Sequence, residues 1–212
     1  MAIGAFIRRL FGRHEHRVAE AYRRLFIDLD ALVEEIRAAR PRPARILEVG
    51  CGEGAMTERL VAAFPGAELL AIDVTPRLGR LYRGDPARVV FRQVPVQRIA
   101  AEQPGRFDLV LLCDVLHHVP PVMRPELLAA IRATLAPGGA FVFKDWAPSR
   151  SLPHWMCETS DRVLTGDDVA YLPPGDAAAL LGPVFSPAPV VPGRRTVPPH
   201  ANNYILTVTA PG

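Results

Sequence analysis

Arg45-Ile-Leu-Glu-Val-Gly-Cys-Gly-Glu-Gly54 is the stretch on which the reading of the whole chain turns. An apolar run suited to a strand leads into three glycines at alternate positions, Gly50, Gly52 and Gly54. A helical pattern follows at once, with Met56, Leu60, Val61 and Phe64 on one face. Glycine admits backbone angles closed to other residues and lets a ligand approach the main chain. The free N–H groups at the start of the next helix point into that same space. A second apolar run, Ala67-Glu-Leu-Leu-Ala-Ile-Asp73, ends in an acid 23 residues after Gly50. A carboxylate at about that spacing can accept hydrogen bonds from a ribose. Strand, glycines, helix, strand and acid together predict a nucleoside site.

Outward from this centre, strands and helices alternate. Thr75-Pro76 offers a cap and first turn for a short helical segment through Tyr82. Residues 88–94 read as a strand and 96–102 as a short helix. Residues 107–114 are almost continuously apolar, as expected of a parallel strand covered on both faces. Leu127, Leu128, Ile131 and Leu135 mark a further helix, closed by Pro137-Gly-Gly139, and residues 140–146 form a fifth strand. This rhythm predicts a three-layer α/β sandwich around a mostly parallel sheet, with ligands outside the carboxyl ends of the strands. Residues 147–182 lack the rhythm, although 173–181 read as a helix. Residues 184–191 and 202–209 read as the last strands, joined by the Pro- and Arg-rich stretch 192–199 as an exposed loop. At the other end, residues 1–40 read as helix with one interruption, and Val18, Ala21, Tyr22, Leu25, Leu29, Leu32, Val33 and Ile36 form one face of an amphipathic helix. Arg40-Pro-Arg-Pro43 ends it.

Glu48-Val-Gly-Cys-Gly-Glu-Gly54 and Ile72-Asp73 resemble the first two motifs of the class I S-adenosylmethionine-dependent methyltransferases. Phe107-Asp-Leu-Val-Leu-Leu-Cys-Asp-Val-Leu-His-His-Val119 is similar to that family's fourth strand and the turn after it. Leu135-Ala-Pro-Gly-Gly-Ala-Phe-Val-Phe143 is similar to its fifth. A dinucleotide fingerprint would place a third glycine three residues after the second, and Gly54 stands elsewhere. The resemblance implies a Rossmann-like, seven-stranded, mostly parallel sheet with an antiparallel C-terminal strand. It implies one domain over 1–212, with an N-terminal helical lid (1–43), a cofactor core (44–146), and a substrate loop and hairpin (147–212).

It also implies S-adenosylmethionine as cofactor and S-adenosylhomocysteine as product. The expected cofactor residues are Glu48, Gly50, Cys51, Gly52, Gly54, Asp73, Val74 and Asp114, with Tyr22 and Arg23 closing over the methionine end. Adenine recognition departs from the family, because Pro95 stands where the family often has an acid. Gln93 or Gln97 is the expected amide there, with the Val96 N–H for the ring nitrogen. Histidine titrates near neutrality, so His117, His118 and His154 are the expected general-base candidates. Trp155, Asp161 and Tyr171 are the expected substrate-pocket residues. Asp114, His117, His118 and His154 are metal-ligand types, but their irregular spacing predicts no metal site.

Composition narrows the partners. Of 25 basic residues only Lys144 is lysine, and the net charge of +3 is concentrated in residues 1–24, where six arginines face Glu15 and Glu20. Phe6, Ile7, Leu10 and Phe11 lie among those arginines, so residues 1–17 are a candidate for peripheral membrane contact. No broad basic stripe predicts a nucleic-acid partner, which argues against an RNA methyltransferase. An interaction protein docking through the basic helix is the competing reading. A short-chain oxidoreductase would need a Tyr-x-x-x-Lys pair that this chain lacks. No run of 18 apolar residues occurs, and the three cysteines are too scattered for a disulfide framework. With no apolar segment after Arg8 and Arg9, the start does not read as a signal peptide, and a cytoplasmic methyltransferase for a small-molecule hydroxyl is the expectation.

Overall fold

The computed structural model describes residues 24–151, 155, 158–159 and 169–212. Tyr22, Arg23, His154, Cys157, Asp161 and the 1–17 segment lie outside the described residues. The elements are α1 (Leu29–Ala39), β1 (Arg45–Val49), α2 (Ala55–Ala63), β2 (Glu68–Asp73), β3 (Val89–Gln93), α3 (Val96–Glu102) and β4 (Phe107–Cys113). Then come α4 (Arg124–Thr134), β5 (Leu135–Trp146), α5 (Pro174–Phe185), β6 (Val191–Pro192) and β7 (Asn203–Thr209). One seven-stranded sheet has the order β3-β2-β1-β4-β5-β7-β6. The first five strands are parallel, and β7 runs against both β5 and β6. This is the Rossmann-like fold the sequence predicts, and the chain reverses direction across the sheet between β1 and β4.

Period-two alternation in strands buried on both sides divides the interior. Leu47, Val110, Leu112, Phe141 and Phe143 pack with α3, α4 and α5, while Ile46, Leu109, Leu111, Ala140 and Val142 pack with α1 and α2. Carried along β5, that alternation sends Lys144 toward the α1 and α2 side and Asp145 toward the other. Both are almost wholly buried. A buried charge is costly unless it is paired, so each must have a partner.

Four local expectations are corrected. The apolar face from Val18 to Ile36 is not one helix: the chain turns at Leu25 and Phe26, and Asp28 caps a new helix by accepting from the Asp30 and Ala31 N–H groups, both at 3.0 Å. The 75–82 segment forms turns rather than a helix, because its donors go elsewhere. Gly79 N–H donates to the Gly52 carbonyl and Leu81 N–H to the Glu53 carbonyl, both at 2.9 Å. Of the strand expected over 184–191 only Val191 is in a strand, the two-residue Val191–Pro192, since prolines 187 and 189 lack the donors a ladder needs. Helix α5 runs on to Phe185, whose ring stacks on Phe141 at 5.0 Å. The 192–199 loop is mostly exposed but anchored: Val197 is buried, Glu35 accepts from Arg194 N–H at 2.9 Å, and Asp28 N–H donates to the Pro198 carbonyl at 2.7 Å.

Candidate active site

The β1–α2 turn is shaped by backbone constraints. Gly50, Gly52 and Gly54 have φ of 78°, 50° and 93°, all in the left-handed region that favours glycine. A Cβ on Gly50 would overlap a Val115 methyl, whereas one on Gly52 would project into open space. That space is where a ligand can lie against the main chain. Asp73, at the end of β2, orders the turn: one carboxylate oxygen accepts from Gly52 N–H at 2.7 Å and the other from Thr75 N–H at 2.9 Å. The acid thus stands beside the opening over Gly52, with lone pairs remaining for ribose hydroxyls. Behind the turn, Arg80 holds Glu53 at 2.8 Å.

A cavity of about 280 Å³ opens over this turn, lined by Glu48, Cys113 and Asp114 at the ends of β1 and β4 and by Gly50, Cys51, Glu53 and Met56 of the turn and α2. Ile27, Leu29 and Leu32 line it from the N-terminal segment. The apolar start of α1 therefore covers a cleft whose floor carries acids. Burial pushes the Glu48 carboxyl up to about 7, against the Thr57 hydroxyl that donates to it at 2.6 Å, while the nearby Asp73 raises it further. Burial also pushes the Cys51 and Cys113 thiols up, which keeps them protonated. Neither is an activated nucleophile.

Val74 is exposed next to Asp73. Gln93, paired in register with Asp73, donates its amide to the Val74 carbonyl at 3.1 Å. Gln97 turns away to Glu126 of α4 at 3.3 Å, and Val96 is buried at the start of α3. Of the two amides, Gln93 is the one that stands next to Asp73.

Asp114 to His118 follow β4. Asp114 has φ of 56°, the one positive-φ residue other than glycine among those described. Its carboxylate accepts from Lys144 Nζ at 2.6 and 2.8 Å. His117 and His118 sit in a short 3₁₀ turn. The His117 ring is buried, with Nδ1 at 2.6 Å from Asp145 Oδ1, and it stacks on Tyr171 at 4.5 Å. His118 is half-buried, its ring 4.2 Å from that of His117. Arg124 fastens the same corner, donating to the Val119 carbonyl at 2.9 Å and the Ala170 carbonyl at 2.7 Å. Trp155 is exposed. So the structure gathers Glu48, Gly50, Cys51 and Asp114 about one cavity, and Gly52 and Asp73 at its edge. It puts Tyr171 against His117 and leaves Trp155 at the surface.

Sequence reasoning missed Lys144, Asp145 and Arg124. The available signal was Phe143-Lys-Asp-Trp146, two adjacent charges in a strand expected to be buried on both faces.

A family model described as a methyltransferase domain matches residues 15–177. The ubiquinone biosynthesis O-methyltransferase of Bordetella parapertussis is 38% identical over 103 residues, which are 47% of this chain and 41% of that protein. Its namesake from Xanthomonas campestris pv. campestris is 38% identical over 100 residues, 45% of this chain and 40% of that protein. The match thus spans about two-fifths of the length of these curated relatives. Among solved structures, Burkholderia thailandensis 1,6-didemethyltoxoflavin-N1-methyltransferase, bound to 1,6-didemethyltoxoflavin and S-adenosylhomocysteine, is similar with a TM-score of 0.67 and 23% identity. That likeness covers 98% of this chain and 88% of that one. Human N-acetylserotonin methyltransferase in complex with SAM gives 0.66 and 15%, covering 99% and 56%. At these identities the likeness is one of fold.

Proposed function

The chain belongs to this family of methyltransferase domains, and on that premise we propose that it transfers a methyl group from S-adenosylmethionine to a small-molecule acceptor, at a hydroxyl oxygen. The observation that carries the reading is the acid-floored cavity under an apolar cover at the glycine turn, where Gly52 bonds Asp73 and has open space at its Cβ position. These residues fit the cofactor. Asp73 suits the hydroxyls of its ribose, and the turn at Gly50 and Gly52, with Glu48 and Asp114, suits its cationic amino-acid end. The name of the curated relatives, O-methyltransferases, supports oxygen as the target.

When bound, S-adenosylmethionine supplies an electrophilic methyl group on a sulfonium. The protein's part is alignment and exclusion of water, which is enough for on the order of 7–11 kcal/mol. In this reading residues 44–146 hold the cofactor, 1–43 cover it, with Ile27, Leu29 and Leu32 excluding water, and 147–212 shape the acceptor side. We assign the acceptor's proton to His118. A base must reach the hydroxyl it deprotonates, and the buried, Asp145-bound His117 is better suited to supporting its neighbour.

Calorimetric titration of S-adenosylmethionine and S-adenosylhomocysteine into the wild type and Asp73→Ala tests the assignment. Micromolar binding is expected, weakened about tenfold or more in the variant, which corresponds to ~1.4 kcal/mol. Lack of binding at millimolar ligand overturns the reading in favour of a docking protein on a retained fold. With an acceptor in hand, His118→Asn is expected to lower kcat by about 10²–10⁴ with little change in KM.

A further inference from the structure

Lys144 is the chain's sole lysine, and its side chain is 0% exposed at the carboxyl end of β5. It lies on the face of the sheet that carries the cavity. Its ammonium meets both Asp114 oxygens, at 2.6 and 2.8 Å, and lies 5.3 Å from the centroid of the Trp146 ring. Its own backbone carbonyl accepts from Asp114 N–H at 2.9 Å. One residue thus grips both the main chain and the side chain of the other. Left-handed backbone in a non-glycine residue persists where its surroundings over-determine it, and this double grip supplies that for Asp114.

The two ends of the pair differ in exposure. The Asp114 side chain is 34% exposed, and Asp114 is part of the cavity lining. The lysine is therefore enclosed, whereas the acid it holds keeps about a third of its side chain open at the cavity. A lysine too buried to touch a ligand, holding an acid that can, has the form of a built receptor for a cation. Held by one ammonium, a carboxylate can still accept from a second.

Resting on the cofactor reading above, we propose that Lys144 is a positioning residue. It fixes the Asp114 carboxylate as the receptor for the cationic amino-acid end of the cofactor, so that it governs recognition of that end and not of the nucleoside.

The discriminating ligands are S-adenosylhomocysteine and 5′-methylthioadenosine, which keeps the nucleoside and sulfur but lacks the amino-acid end. Both are titrated calorimetrically into the full chain as wild type, Lys144→Met and Asp114→Asn, with thermal melting in parallel. Each variant is expected to bind S-adenosylhomocysteine about tenfold or more weakly while holding methylthioadenosine within about twofold of the wild type. Equal weakening of both ligands would show a merely structural role and overturn the proposal. So would undiminished S-adenosylhomocysteine binding in either variant. Should Lys144→Met fail to fold, Asp114→Asn still decides whether that carboxylate is the receptor. A wild type that binds both ligands equally well sinks this proposal and spares the cofactor reading. A wild type that binds neither sinks both.

Discussion

Between β1 and β2 the site is made of main chain, whereas between β4 and β5 it is made of buried charge. On the first side, three left-handed glycines and the two N–H groups that bond Asp73 set the shape. On the second, Lys144 and Asp145 sit side by side on β5 and point to opposite faces. Each holds one residue of the turn after β4: Lys144 grips Asp114, and Asp145 grips His117. The lesson is that one strand end can fix the turn beside a cavity from both faces of a sheet at once. A main-chain site fails when a side chain is added. A charged site fails when one is taken away.

The largest effect should come from breaking the charged side where it is driest. Asp145 and His117 are 2% and 3% exposed, and Asp145 Oδ1 also accepts from Trp146 N–H at 2.8 Å. Asp145→Ala would strand both donors and leave a hole, for a loss of about 3–5 kcal/mol in chemical unfolding. Asp145→Asn, which keeps an acceptor in the same place, should recover more than half of that. If Asn and Ala are equally destabilising, the carboxylate's charge matters and not its hydrogen bonds. If neither destabilises, the contrast between the two sides collapses.

Glu48 sharpens the comparison, because it is a charge-bearing group on the main-chain side. Its folded-state pKa of about 7 lies above the usual 4.5. The native protein therefore holds a proton there that the unfolded chain gives up. This contribution is fully present below about pH 4.5 and is lost as pH rises toward about 7, to a total on the order of 3 kcal/mol. Glutamine mimics the protonated acid and still accepts from Thr57. The stability of Glu48→Gln relative to wild type should therefore climb across that window and level off above it. A difference that stays flat from pH 4 to 8 would mean the carboxyl titrates normally despite its burial.

The same division explains what the sequence revealed. The glycine turn, Asp73 and the strand–helix rhythm were legible because each is written in neighbouring residues: glycine spacing, apolar periodicity, an acid at a strand end. The charged side was not. Lys144 and Asp114 are 30 residues apart, Asp145 and His117 28, and only the pairing of β4 with β5 joins them. The break at Leu25 escaped for a similar reason. The apolar period runs through it without interruption. What stops the helix is partly remote, with Asn203 donating to the Phe26 carbonyl at 2.9 Å and His200 Nε2 lying 2.8 Å from the Leu25 carbonyl. Asp28 as a cap was visible in the sequence, but an aspartate within a helical pattern is ordinary.

The smallest effect separates crowding from strain within the glycine turn itself. Gly50→Ala and Gly52→Ala each place a Cβ on left-handed backbone and share a cost of about 1–2 kcal/mol. Only the first also drives a methyl into Val115, adding about 1–3 kcal/mol of overpacking. Unfolding measurements should thus rank Gly50→Ala below Gly52→Ala by that second amount. Ligand titration should tell a different story. The Gly52 methyl enters the open space beside Asp73, so Gly52→Ala should lose binding out of proportion to its small loss of stability. If its binding is intact, the ligand does not lie over Gly52, and the main-chain side would be a structural turn whose neighbouring cavity serves something else.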